Sequence, residues 1–460
     1  FVRQRLERDK SFVWLKRRAT FEEAEQVQKL NSPAIGMIEE YKRFFPQGST
    51  LANVLGFSNV DNEGLEGIEL SMDHFLRGKP GKRITKRDAK GREIRAFEIT
   101  MLPVVHGSTV VLTIDQHLQY LTEKALETAY TKWKAKAAWA VVMDPKTGEL
   151  LAIANRPTFD PNEYDRSSTD VRRNRAITDM YEPGSVFKIV AASGALNEGV
   201  VTPDSTFFCE NGKWNYGVKT LRDVHAYGTL TMEQVIIKSS NIGTVKMALK
   251  MKRDQLQDYI RGFGFGALTG VDMKGEAPGY TRPPSQWSKT SPYNIPMGQE
   301  VMVTSLQMAT AMSVIANGGY LVKPYIVSKV QDPAGVILFE NKPTVRRIVI
   351  KPETAATMRR ILTKAVEEGA GSKAKIPGIA VGGKTGTAQK VLPNGKGYSH
   401  SHFMSSFIGF APGDNPKYVM SVVLDEAHPM YYGGTVAAPV FKEVMESAFL
   451  TAGIRPLKMT

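Results

Sequence analysis

The spacing of apolar residues changes near Gly107 and divides the chain into two textures. After it, Thr109 to Thr113 is a β-branched run that predicts a strand, and Thr113 or Asp115 can cap the helix that follows. Ile114, Leu118, Leu121, Ala125 and Ala129 recur at intervals of three and four, the stripe of an amphipathic helix. Ala138 to Met143 is continuously apolar, as a strand buried on both faces would be. Asp144-Pro145 stops it, Gly148 turns it, and Leu150 to Ala154 returns as a second strand. Thr304 to Asn317 predicts a helix closed by Gly318-Gly319. Gly382 to Gln389, Ser405 to Phe410 and Tyr418 to Leu424 read as further strands, and Val436 to Leu450 as a closing helix. Hairpin connections between strands, with helices at both ends and within, predict an antiparallel sheet covered by helices, an α+β layout.

The first hundred or so residues are charged and irregular. A short exposed helix is expected at Phe21 to Asn31, and strands joined by Gly turns between Arg77 and Pro103. The expected division is therefore a separate N-terminal region, 1–107, and a larger domain, 108–460. A chain of 460 residues is long enough for two such units.

Composition adds exclusions. One cysteine, Cys209, rules out an intramolecular disulfide, and its expected role is that of a small buried hydrophobe. The net charge is +14 and partly local: Arg77 to Arg95 holds nine Lys/Arg against two Asp/Glu. Gly78, Gly81 and Gly91 interrupt that stretch, so it reads as a solvated hairpin. No nucleic-acid signature accompanies it, and no nucleic-acid partner is expected. No apolar run is long enough to cross a membrane. His400 and His402 lack a third partner, so no metal is expected, and no cofactor.

Three short motifs carry the chemistry. In Tyr181-Glu-Pro-Gly-Ser-Val-Phe-Lys188, Pro183 and Gly184 break the chain before an apolar helix. Ser185 then falls at the helix start with Lys188 one turn on, on the same face. A serine hydroxyl needs a base to become a nucleophile, and a lysine serves only when neutral. Ser239 and Asn241, in Lys238-Ser-Ser-Asn-Ile-Gly243, place a hydroxyl and an amide on a turn. In Gly382-Gly-Lys-Thr-Gly-Thr-Ala388, Lys384, Thr385, Gly386 and Thr387 would lie on a strand edge where an extended ligand can pair. Each motif alone is weak: Ser372/Lys375 repeats the first in a probable surface loop, and Lys146-Thr-Gly148 repeats the third in a turn. Together, in this order and on these elements, they form a recognised catalytic set.

Beyond the motifs, the chain resembles the class B penicillin-binding proteins, and most closely their division-specific, septal members. Arg43-Phe-Phe-Pro46, Leu65-Glu-Gly-Ile-Glu69, Asp144 to Glu149, Asn174 to Asp179, Gly298-Gln299 and Tyr432-Gly-Gly434 carry the likeness. The resemblance implies a strand-rich N-terminal pedestal and a transpeptidase domain with a five-stranded antiparallel sheet packed between helices. It implies acyl transfer from a stem peptide ending in D-alanyl-D-alanine to an amine acceptor, with β-lactams as covalent inhibitors. Ser185 would be the nucleophile, Lys188 its base, Ser239 a proton relay and Asn241 the holder of the substrate amide. Lys384, Thr385 and Thr387 would hold the terminal carboxylate, and the backbone N–H groups of Ser185 and Thr387 would form the oxyanion hole. Its expected partners are a septal glycan polymerase and other division proteins, met through the pedestal. The expected setting is the inner membrane, reached through a single anchor helix that this chain does not carry, with the catalytic domain on the periplasmic side. Two alternatives stay open: a β-lactamase or carboxypeptidase that delivers the acyl group to water, and a penicillin-recognising sensor or scaffold. Against a class A β-lactamase, this chain contains no Glu-x-x-Leu-Asn segment, by which such an enzyme activates water.

Overall fold

A computed structural model describes residues 2–7, 12–32, 34–87, 93–217, 219–392, 395 and 397–451. Helix α1 (Phe21–Lys29) is solvent-facing, with a capping box between Thr20 and Glu23. Strands β1 (Lys82–Arg87) and β2 (Glu93–Leu102) form an antiparallel hairpin. The basic stretch thus spans the hairpin, although its tip, 88–92, lies outside the described residues. Short helical turns at Ala52–Leu55, Gly67–Ser71 and Asp73–Leu76 make up most of the remaining regular structure before residue 107.

Strand β3 (Thr109–Leu112) then leads to helix α2 (Gln116–Lys132), and Asp115 is the residue that caps it, accepting from Leu118 N at 2.8 Å. β4 (Ala137–Met143) and β5 (Leu150–Arg156) form the expected hairpin. Helices α3 (Lys188–Asn197), α4 (Met232–Ile237), α5 (Asn241–Ala248) and α6 (Ser305–Ala316) follow. Next come β6 (Val327–Gln331), β7 (Ile337–Glu340), helix α7 (Pro352–Glu367), and β8 (Gly382–Val391), β9 (Tyr398–Ala411) and β10 (Tyr418–Asp425). Helix α8 (Ala438–Thr451) closes the fold. Five strands pair antiparallel in the order β8-β9-β10-β4-β5, whereas β3 joins β6 and β7 in a separate small sheet.

Alternation along β4 explains the layering. Trp139, Val141 and Met143 point into one core with α3, α5, α6 and α7. Ala138, Ala140 and Val142 point into the other, with α2 and α8. A strand with both faces buried must be apolar throughout, which is why its sequence shows no alternation.

The N-terminal residues share these cores. Leu51, Val54 and Ile68 pack in the same cluster as Trp139 and α3. Asn53 Nδ2 donates to Val171 O at 2.8 Å, Asn162 exchanges hydrogen bonds with both backbone groups of Phe45, and Arg43 pairs with buried Glu69 at 2.6 Å. Phe57 stacks on Tyr164 at 4.1 Å and meets Phe159 edge-on, with the Arg172 guanidinium over its ring. Residues between about 43 and 76 are therefore built onto the larger body, while α1 and the hairpin project from it.

This packing yields a stability test. Phe57→Ala should cost about 3–5 kcal/mol, the range for emptying a buried aromatic site. In urea it should lower the midpoint of a single transition shared by both regions. A separate early transition for the N-terminal residues, with the main one unmoved, would show that the packing does not couple them.

Candidate active site

The chain reaches Ser185 through a tightly pinned segment. Tyr181 and Val303 exchange backbone hydrogen bonds at 3.0 and 2.9 Å, and Gly184 N donates to Gly298 O at 3.1 Å. Gly298, at φ +80°, lies so close that an added Cβ would sit 2.2 Å from Gly184 O, so no other residue fits there without displacing the segment. Ser185 occupies a 3₁₀ turn, Gly184–Phe187, and the α-helix proper begins at Lys188. Sequence spacing placed the serine at the helix start, whereas a tighter turn precedes the helix. Ser185 is half-buried and Lys188 wholly buried.

Lys188 Nζ donates to Ser239 O at 2.6 Å and to Asn241 Oδ1 at 2.8 Å, with Ser239 Oγ at 3.3 Å. Lys384 Nζ donates to the same Ser239 Oγ at 2.8 Å. The structure thus brings Lys188, Ser239, Asn241 and Lys384 together from three distant stretches of chain. Burial pushes the Lys188 amine well below the usual lysine range, the neighbouring Lys384 charge pushes it further, and Asp223 opposes both. Burial also brings Lys384 down to about 7. A neutral Nζ can spend its two N–H bonds on the two carbonyl oxygens and keep a lone pair for an incoming proton.

The turn carrying Ser239 has its own anchor. Ser239 adopts φ +59°, an uncommon conformation for a side-chain-bearing residue. Asp223 accepts from Ser240 Oγ at 2.6 Å, from Ile242 N at 3.1 Å and from Asn241 N, so it holds the first turn of α5. Asn241 Nδ2 donates to Arg222 O, which turns its oxygen toward Lys188. Nothing in the sequence marked Asp223, because its partners lie 17 to 19 residues away and no motif spans that gap.

β8 supplies the third wall from the edge of the five-stranded sheet. Gly386 faces the segment that carries Ser185: a Cβ there would come within 3.0 Å of Pro183 O and Val186 Cγ1. Thr385 and Thr387 alternate with Lys384 and Gly386 along the strand, and Thr387 Oγ1 accepts from Gly433 N at 3.1 Å. The strand's outer edge is placed to pair with an extended ligand.

The competing motifs fall elsewhere. Ser372 and Lys375 are exposed on a short turn, and Lys146 to Gly148 form the β4–β5 turn. His402 lies 3.7 Å from Glu426, and among the described residues no group of His, Cys, Asp or Glu is arranged to hold a metal ion. Cys209 is buried beside Ser240 Oγ.

Comparison with known proteins bears on the whole chain. The family described as "Penicillin binding protein transpeptidase domain" matches residues 138–446, and "Penicillin-binding Protein dimerisation domain" matches 2–112. Peptidoglycan D,D-transpeptidase FtsI of Escherichia coli is 35% identical over 450 residues, covering 98% of this chain and 74% of that protein. Stage V sporulation protein D of Bacillus subtilis is 36% identical over 447 residues, 96% of this chain and 69% of that one. The crystal structure of penicillin binding protein 3 from Mycobacterium tuberculosis, complexed with aztreonam, has a TM-score of 0.80 at 35% identity and covers 90% of this chain and 92% of its own.

Asp223 gives the prediction specific to this geometry. Asp223→Ala should destabilise the protein by about 2–3 kcal/mol, since it strips charge-assisted acceptors from α5. It should also slow the reaction of Ser185 with an acylating agent by releasing Asn241. Wild-type reactivity in the variant, measured by rapid quench and mass spectrometry, would show that the turn holds without it.

Proposed function

The chain belongs to the penicillin-binding protein transpeptidase family, and from that premise we propose that Ser185 is the residue through which it cross-links peptidoglycan. The protein is a serine-type D,D-transpeptidase of stem peptides, covalently inhibited by β-lactams. The observation that carries the residue assignment is the meeting of two buried lysine amines on the Ser239 hydroxyl, one of them Lys188, three residues after Ser185 at the start of the helix.

In the proposed reaction, Ser185 Oγ attacks the penultimate D-alanine carbonyl while neutral Lys188 takes its proton. The backbone N–H groups of Ser185 and Thr387 hold the oxyanion, each donor contributing about 3 kcal/mol to lowering the barrier. The carbon–nitrogen bond breaks as Ser239 passes a proton to the leaving D-alanine, and Asn241 orients the donor amide. Lys384, Thr385 and Thr387 hold the terminal carboxylate along β8, with Gly386 keeping the strand close to the nucleophile. An acceptor amine then attacks the Ser185 ester, gives up its proton and restores the hydroxyl.

The setting we assign is the septum, on the likeness to division-specific members. We assign the enzyme to the inner membrane, single-pass, with its catalytic body on the periplasmic side. No helix among the described residues is long and apolar enough to cross a membrane, so the anchor in this proposal lies outside them. The N-terminal region, 1–107, is proposed as the contact for a glycan polymerase and other division proteins. Support for this comes from the hairpin, which leaves Ile84, Met101, Leu102, Val104 and Val105 largely exposed next to its basic positions.

Three outcomes are expected. Ser185→Ala should form no penicillin adduct, and a stoichiometric adduct in that variant, or one mapped to Ser372, would overturn the nucleophile. Second-order acylation by a carboxylate-bearing β-lactam should fall as pH rises through about 7, because Lys384 in the free enzyme loses its charge there. The carboxyl ester of the same β-lactam should show no such fall, and matching profiles would remove Lys384 from carboxylate binding. Replacing 80–104 with a short linker should spare penicillin acylation, since Lys79 and Val105 already pair and hold the ends together. The same change should abolish co-purification with the polymerase. Retained co-purification would exclude the hairpin, and a contact that weakens steeply with salt would point to anionic envelope polymer instead.

A further inference from the structure

The segment that carries Ser185 is gripped by chain that comes much later in the sequence. Gly184 N donates to Gly298 O at 3.1 Å, and Glu182 Oε1 accepts from Glu300 N, 118 residues on, at 2.8 Å. Tyr181 exchanges backbone hydrogen bonds with Val303. The stretch from Gly298 to Val303 is thus a rail along which residues 181–184 are laid.

One residue of that rail has an unusual backbone. Glu300 has φ +61°, in the left-handed region where residues with a side chain are uncommon. Such a conformation persists where the surroundings over-determine it, and here they act on the carboxylate. Its Oε2 accepts from Arg282 Nη2 and from Ser291 Oγ, the latter at 2.6 Å, and its Oε1 accepts from Asn294 Nδ2 at 2.7 Å. The three partners are themselves fixed. Arg282 O accepts from Trp287 Nε1 at 2.8 Å, Ser291 Oγ accepts from Ser288 N at 2.9 Å, and Asn294 O accepts from Gln299 N at 3.2 Å. The last bond closes a ring: Asn294 holds the Glu300 carboxylate with its side chain and the preceding amide with its backbone. The carboxylate thereby sets the direction of the Glu300 N–H, which points at Glu182. A glycine would adopt this φ freely, so the conformation alone does not call for glutamate. What glutamate adds is the clamp.

We propose that Glu300 is a positioning residue for Ser185. Held by Arg282, Ser291 and Asn294, it fixes the rail that sets the Gly184–Ser185 peptide, whose N–H is one of the two oxyanion donors in the reaction above. It acts through Glu182 and Gly298 rather than on the substrate. The proposal rests on the transpeptidase reading and adds to it the device that aims one oxyanion donor.

Rapid-quench mass spectrometry with a β-lactam separates the binding constant from the rate constant of the covalent step, and oxyanion alignment bears on the second. Glu300→Gly keeps the φ without strain and removes the clamp. It should slow the covalent step by about tenfold with binding unchanged, a tenth of what a 1 Å misplacement can cost. Glu300→Gln, which keeps the length and one acceptor oxygen, should fall between that variant and the parent, and it decides alone if Glu300→Gly does not fold. Val444→Ala, in the core on the far side of the sheet, is the control: it should lower the melting temperature and leave both constants at the parent's values. Unchanged covalent steps in the Glu300 variants, a loss confined to binding, or an equal slowing in Val444→Ala would overturn the assignment. If penicillin labels the parent at Ser185 while the covalent step ignores Glu300, the positioning role alone is overturned. A parent that takes no label overturns the transpeptidase reading with it.

Discussion

Two lysine amines buried around one serine hydroxyl set the terms for the rest of this molecule. Charged together, Lys188 and Lys384 would repel strongly in a medium that screens poorly, and each would carry a desolvation cost as well. The arrangement is tolerable only if at least one is neutral, and neutrality is what the proposed role of Lys188 as base requires. Ser239 sits between them, with Lys188 at 3.3 Å and Lys384 at 2.8 Å from its oxygen. The nearest compensating anion, Asp223, is spent on Ser240, Asn241 and Ile242, so it holds the turn while only partly offsetting the field on Lys188.

Holding such a cluster takes a rigid frame, because buried like charges would otherwise move apart or admit water. The frame is the five-stranded sheet between two cores. It fixes Lys384 on β8 and, through α3 and α5, fixes Lys188 and Asn241. Sites carried on strands and helices keep tighter geometry than sites on loops. The one loop-borne member, Ser239, is held at positive φ by backbone and side-chain bonds on both sides. Close approach without side chains does the rest, at Gly386 and Gly298.

The N-terminal region connects this frame to what lies outside it. Its middle part is welded to the catalytic body through Leu51, Val54, Phe57 and Ile68, while the hairpin projects with apolar residues exposed. A partner held by the hairpin would therefore be registered to the active site through packed side chains rather than a tether.

Much of this was legible in the sequence. The unbroken apolar run at Ala138 to Met143 identified a strand buried on both faces, and the spacing from Ile114 to Ala129 identified the helix beside it, because both patterns are local consequences of backbone period. The order of three short motifs singled out Ser185, Lys188, Ser239, Asn241 and Lys384. What the residues could not give was which groups touch. That Lys188 and Lys384 meet on one hydroxyl depends on sheet register and helix placement across 145 residues between Ser239 and Lys384. The same holds for Asp223 beneath the turn and for the partners of Glu300: a carboxylate carries no mark of its surroundings. Only the folded chain decides whether such a group finds a partner, because burial and hydrogen bonding belong to the three-dimensional neighbourhood and not to the order of residues.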